Sequence, residues 1–163
     1  MQTLTRILAK DIMRTDVATL RPEDSLESAI ELFEEMHISG APVVDGSGTL
    51  VGVLSGSDIA RFAREKGKGI RAAGERLEGL DDELTEEEGL FDVDEYSEEL
   101  LGRERVCDWM TAKVISAHAD SSLRDLCKLM SREAVHRVVI SNGKKLAGIV
   151  TSFDVVRCVA EHG

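Results

Sequence analysis

The sequence predicts a mixed α/β (α+β) protein made of two β-α-β-β-α units with an acidic, partly helical insertion between them. Three observations carry this. A stretch of about fifty residues recurs once with its residues in the same order, too long a match for chance. Each copy closes on one strand-to-helix phrase, "GVLSGSDIARF" at 52–62 and "GIVTSFDVVRC" at 148–158. Between the copies the composition turns abruptly acidic, with 14 Asp or Glu and two Arg over 75–104, a net charge of −12.

The repeat runs in register over its whole length. At an offset of 97, Asp11, Met13, Thr19, Leu26 and Leu32 fall on Asp108, Met110, Ser116, Leu123 and Leu129. The second hairpin is one residue shorter. Leu50, Gly52, Ser55, Asp58 and Arg61 therefore fall on Leu146, Gly148, Thr151, Asp154 and Arg157 at an offset of 96.

Each copy starts with a short apolar strand, "VATL" or "VISA". A cap-like pair follows, Asp24 with Glu27 or Ser122 with Asp125, of the type that satisfies the first N–H groups of a helix. Leu26, Ala29, Ile30, Phe33 and Met36 recur at helical spacing and predict a helix buried on one face. Two strands come next, "APVVD" and "TLVGVLS" around "GSG", then "RVVIS" and "KLAGIV" around "NGK". Glycine in such a link supplies the positive φ of a tight turn. The last helix opens on Ser55-x-x-Asp58 or Thr151-x-x-Asp154, a capping-box spacing.

The bulk composition narrows the function class. Apolar residues make up 42% of the 163 residues and aromatic ones only 4%, so the core is aliphatic. No apolar run is long enough to span a bilayer, and the N-terminal stretch lacks the features of a secretory signal, so a cytoplasmic location is expected. Cys107, Cys127 and Cys158 form no CxxC pair and lie in apolar contexts, which predicts reduced core cysteines. The four histidines have no metal-ligand spacing, and no metal site is expected. Outside 75–104 the net charge is +1. A neutral body with an acidic insert lacks the basic footprint that nucleic-acid binding needs.

The doubled "Gly-apolar-apolar-Ser/Thr-x-x-Asp" close and the "HISGAPVVD" phrase resemble the cystathionine-β-synthase (CBS) domain in tandem, the arrangement called a Bateman module. The resemblance covers 10–62 and 105–160. It divides the chain into a first unit with its leading segment (1–62), the insertion (63–104) and a second unit (105–163). It implies two units packed with pseudo-twofold symmetry, whose clefts bind AMP, ADP, ATP or S-adenosylmethionine. It also implies a homodimer. Ser55 and Asp58 would then serve one cleft and Thr151 and Asp154 the other, each carboxylate accepting from ribose hydroxyls. The alternative for these residues is helix capping alone.

The copies differ where His136 and Arg137 replace Ser39 and Gly40. Arg137 offers several N–H donors to phosphate and His136 one more, which points to one phosphorylated-nucleotide site and one weaker site. A surface Arg beside a half-buried His is the plainer alternative. Backbone near Thr19 and Ser116, with Ile115 and Val138, would suit an adenine ring.

The insertion begins with "EKGKGIRAAG", expected to be a flexible loop, since it lacks P-loop spacing. Leu77, Leu80, Leu84, Leu90, Phe91, Tyr96, Leu100 and Leu101 then argue for short helices folding over the module or docking on a partner. A calcium loop starting at Asp92 is excluded by the missing glycine at loop position six and by Arg103 in place of the final Glu. The expectation is a regulatory sensor of adenine nucleotides that acts on an unknown protein partner. It needs no cofactor, and nothing in the sequence has the layout of an enzyme. The alternative is a ligand-free dimerisation and docking module acting through the acidic insertion.

Overall fold

A computed structural model describes residues 6–66, 71–72, 91–92 and 95–163. They form two compact units that cut across the repeats. One contains Met1–Val17, Gly46–Leu50 and Lys113–Gly163; the other contains Ala18–Asp45 and Val51–Ala112. The sequence segments 1–62 and 105–163 therefore exchange their leading stretches: α1 (Ala9–Ile12) belongs with the second repeat and α5 (Val106–Trp109) with the first.

The unit carrying the first repeat has α2 (Leu26–Met36), β1 (Gly40–Val44), β2 (Leu50–Ser55) and α3 (Gly56–Glu65), with β1 and β2 hydrogen-bonded as neighbours. The expected "VATL" strand contracts to a parallel bridge of Leu20 with Val43, made by Leu20 N–H to the Pro42 carbonyl and Val44 N–H to the Leu20 carbonyl, both 2.9 Å. The helix cap also shifts by one residue. Ser25, not Asp24, caps α2 by accepting from Ser28 N–H at 3.1 Å, while Asp24 accepts from Arg21 N–H and closes the preceding turn.

Leu26, Ala29, Ile30 and Phe33 are buried as their spacing requires, in one core with Leu54, Ile59 and Phe62. Met36, expected on the same face, is 51% exposed. The helix ends one residue later, where His37 adopts φ 51°, and the last turn carries Met36 away from the core.

Part of the insertion belongs to this unit. Strands β3 (Arg71–Ala72) and β4 (Phe91–Asp92) pair antiparallel, so the expected flexible loop is ordered at 71–72. Helix α4 (Glu95–Arg103) packs on α2, with Leu101 fully inside the core and Leu100 beside it. Leu77, Leu80, Leu84 and Leu90 lie outside the described residues, and so does most of the expected pair of helices. Nearby, Phe62 and Trp109 meet edge to face at 5.1 Å.

The other unit has β5 (Ser116–His118), α6 (Leu123–Glu133), β6 (Arg137–Asn142), β7 (Lys145–Thr151) and α7 (Ser152–His162). β5 runs parallel to β6, with Ser116 opposite Val139, and β6 runs antiparallel to β7, with Arg137 opposite Thr151. α6 and α7 pack against each other, and Leu126, Met130, Val138, Ile140 and Val150 form the core. Ser122 accepts from Asp125 N–H and caps α6 as expected. Ala134 ends that helix at φ 51°, the same left-handed stop as His37. All three cysteines are free, but only Cys158 is in a core; Cys107 and Cys127 are exposed on polar helix faces, contrary to expectation.

Candidate functional site

The two strand-to-helix junctions are built alike. In each, the last residue of a strand is the N-cap of the helix, and the carboxylate three residues on folds back to it. Asp58 Oδ2 accepts from Ser55 N–H (2.9 Å) and Ser55 Oγ (3.1 Å); Asp154 Oδ2 accepts from Thr151 N–H (2.9 Å) and Thr151 Oγ1 (2.7 Å). Both aspartates are buried, at 7% and 5% exposure, as a charge can be only when it is well bonded. Capping is thus an established role of both.

The second carboxylate oxygen separates the copies. Asp154 Oδ1 accepts from Arg14 Nε and Nη2 at 3.3 and 3.2 Å and from Arg157 at 3.5 Å. Asp58 Oδ1 accepts from the Thr111 hydroxyl at 3.1 Å and from Arg61 at 3.4 Å. Arg61 also donates to the Trp109 carbonyl at 2.6 Å and lies over the Trp109 ring. Burial pushes the Asp154 carboxyl up, but the Thr151 N–H and hydroxyl and the Arg14 guanidinium outweigh it and hold the group below its ordinary range.

Arg14 and Thr111 were not singled out in the sequence, although they occupy one repeat position at the offset of 97. Each arrives on the stretch after a short helix, which joins the free edge of the closing strand. Arg14 and Ile149 exchange backbone bonds of 2.9 and 3.0 Å, and Val53 and Thr111 exchange bonds of 3.0 and 2.9 Å. This crossing explains the glycine of the phrase. A Cβ on Gly148 would sit 2.6 Å from the Arg14 carbonyl oxygen, and one on Gly52 would sit 2.7 Å from Met110 Sδ.

The predicted residues divide between the units. Ile115, Ser116, His136, Arg137, Val138, Thr151 and Asp154 all lie in the second-repeat unit. Its sheet brings most of them to one end: Ser152 N–H bonds the His136 carbonyl (2.8 Å), and Val139 N–H bonds the Ile115 carbonyl (3.2 Å). His136 and Arg137 are exposed, Ile115 is half-buried, and Val138 is wholly inside the core, so its side chain supports this surface from beneath. Thr19, Ser55 and Asp58 lie in the other unit. There Gly56 N–H bonds the Ser39 carbonyl (2.9 Å), the counterpart of the His136 contact, with no cation at the position of Arg137. Among the described residues no group of His, Cys, Asp and Glu has the layout of a metal site, and no helix is long and apolar enough to cross a membrane. The calcium-loop stretch from Asp92 falls partly outside the described residues.

The family model described as "CBS domain" matches twice, at residues 9–65 and 106–161. An uncharacterized protein of Methanocaldococcus jannaschii, MJ1426, is 33% identical over 94% of this chain and 91% of its own length. The inosine-5'-monophosphate dehydrogenase of Halobacterium salinarum is 28% identical over 93% of this chain, which spans only 23% of that enzyme. Among solved structures, CBSX2 in complex with AMP superposes with a TM-score of 0.67 at 24% identity, covering 94% of this chain and 96% of that one. The CBS domain pair of MJ0100, solved with 5'-methylthioadenosine and S-adenosyl-L-methionine, gives 0.65 at 23%, covering 96% and 98%. At these identities the superpositions show a shared fold.

Proposed function

The chain belongs to the CBS-domain family and carries the domain in tandem; from that premise we propose that it is a regulatory module that senses an adenosyl ligand, AMP, ADP, ATP or S-adenosylmethionine. AMP in CBSX2 and S-adenosylmethionine in MJ0100 support the ligand class. A ligand would act on a protein partner by favouring one conformation, and only by as much as its affinities for the two states differ.

The observation that carries the reading is the asymmetry of the junctions. In the second-repeat unit Arg14 and Arg157 hold Asp154 Oδ1 and Arg137 stands opposite Thr151 in the sheet, where the first-repeat unit has Thr111, Arg61 and Gly40. Two guanidiniums at a helix N-terminus, with Arg137 on the neighbouring strand, suit a phosphorylated ligand. Asp154 Oδ1, held only by bonds of 3.2 Å and longer, is the acceptor a ribose hydroxyl would claim, with Thr151 alongside. Ile115, the Ser116 backbone and the Val138 main chain would bound the base. In the other unit Ser55, Asp58 and Thr19 would form the weaker site. A regulatory role of this kind would take no cofactor and no catalytic group, and a cytoplasmic location belongs to the same proposal.

Calorimetry on nucleotide-stripped protein with AMP, ADP, ATP and S-adenosylmethionine tests this. Saturable binding that Asp154→Ala abolishes and Arg137→Ala weakens is the expected result. Binding of none of the four by a folded protein overturns it and leaves docking through the acidic segment as the function. An Arg137→Ala variant of unchanged affinity would remove the assignment of phosphate to this unit.

A further inference from the structure

Arg14 meets the second junction with an anchored backbone and an exposed side chain. Its main chain exchanges two hydrogen bonds with Ile149, which pin it to the closing strand. Its side chain is 56% exposed, while the Asp154 side chain it meets is 4% exposed. The cap occupies Asp154 Oδ2, with bonds from the Thr151 N–H and hydroxyl. Only Oδ1 is left for the guanidinium, and Nε and Nη2 both point at that one oxygen, at 3.3 and 3.2 Å. The strong pairing of arginine with a carboxylate or phosphate uses parallel bonds of about 2.7–2.9 Å to two oxygens. The cap denies Arg14 that geometry. At the first junction the equivalent donor is the Thr111 hydroxyl, and Arg61, also on Asp58 Oδ1, is committed to the Trp109 carbonyl at 2.6 Å.

On the reading of the second junction as an adenosyl site, we propose that Arg14 is the residue that makes it select a phosphorylated ligand, by exchanging one anion for another. A ribose hydroxyl that claims Asp154 Oδ1 displaces the guanidinium. A phosphate on the same ligand then offers Arg14 two oxygens side by side, the pairing it lacks in the free protein. An uncharged nucleoside gives nothing in return. It parts a buried carboxylate from a cation and replaces a charge-assisted bond with a neutral one. Arg157, 3.5 Å from Oδ1, stays as the remaining counter-charge. At the first junction the same hydroxyl displaces only the Thr111 hydroxyl, so an uncharged adenosyl group breaks no Arg14-type pair there.

Calorimetry with AMP and with adenosine, on the full chain and its Arg14→Thr and Arg14→Lys variants, tests the exchange. The component of binding that Asp154→Ala removes is the one read, and circular dichroism confirms that each variant folds. Arg14→Thr should weaken AMP binding about tenfold, the worth of one charge-assisted pair. The same change should tighten adenosine about twofold, because no ion pair has to open. Arg14→Lys keeps the charge and should retain most of the preference for AMP. In an NMR titration the Arg14 Nε–H resonance, assigned by its loss in Arg14→Thr, should shift on saturation with AMP. An AMP-to-adenosine ratio unchanged in Arg14→Thr, or a resonance that AMP leaves in place, overturns the proposal and leaves the adenosyl site standing. Absence of any AMP binding sensitive to Asp154→Ala overturns the site itself, and the role of Arg14 with it.

Discussion

The two junction aspartates share a backbone geometry and differ in what their outer oxygen meets. Asp154 faces two half-exposed guanidiniums; Asp58 faces a hydroxyl and one arginine already engaged with the Trp109 carbonyl. One structural solution, a carboxylate folded back on its own N-cap, thus sits in two electrostatic settings. The lesson is that the cap is common property of the fold, and the leading segment that crosses the closing strand sets the local chemistry. Arg14 against Thr111 gives Asp154 a second guanidinium where Asp58 has a hydroxyl.

The comparison can be broken hardest at its glycines. Gly148→Ala forces a Cβ onto the Arg14 carbonyl oxygen, a rigid backbone atom, and should cost about 2–3 kcal/mol in chemical denaturation. Gly52→Ala should cost less, since its nearest obstacle is the flexible Met110 thioether. Equal costs would show that the two crossings are not distinguished in this way.

Asp154→Ala comes next. It removes the carboxylate half of the α7 capping box, leaving Thr151 as N-cap, and should cost about 1–2 kcal/mol. Because the folded carboxyl titrates below its ordinary value, the stabilisation is complete above the unfolded pKa of about 3.9 and is lost as pH falls toward the lowered folded value. The gap between wild type and variant should therefore close in acid. A gap that persists at low pH would contradict the charge state assigned to Asp154.

Trp109→Phe acts only on the first-repeat unit. It deletes the indole N–H bond to Glu104, the main cause holding that carboxyl below its usual range, with Lys66 adding to it. A loss of about 1 kcal/mol is expected, with the Glu104 titration moving up in a carboxylate NMR experiment. The smallest effect belongs to Arg14→Thr, which makes the second junction resemble the first. Arg14 is more than half exposed, so about 0.5 kcal/mol is expected. The Asp154 titration should rise at the same time, and a titration that stays in place would mean that Arg14 does not bias this carboxylate.

Much of this protein is legible from local pattern. The doubled phrase places Asp58 and Asp154 at helix starts because a capping box is a contact three residues long, and spacing alone encodes it. The buried faces of α2 and α6 follow from helical periodicity for the same reason. Local signals failed where two residues competed for one role or where a helix ended. Asp24 and Ser25 are both competent caps, and only the turn that claims Asp24 for Arg21 N–H leaves Ser25 to the helix. Met36 keeps the apolar spacing but lies on the last turn before a left-handed stop, beyond the core.

By itself the sequence determined the repeat, the helix-strand-strand-helix order of each copy, the acidic segment and the identity of the capping carboxylates, since all of these depend on neighbours within a turn or a hairpin. Tertiary structure alone decided that the leading segments trade places, that Arg14 reaches a carboxylate 140 residues away, and that α4 closes over α2. Those contacts join stretches with no common period or spacing. They come from edge pairing of strands and burial of apolar side chains, which take shape only when distant segments meet.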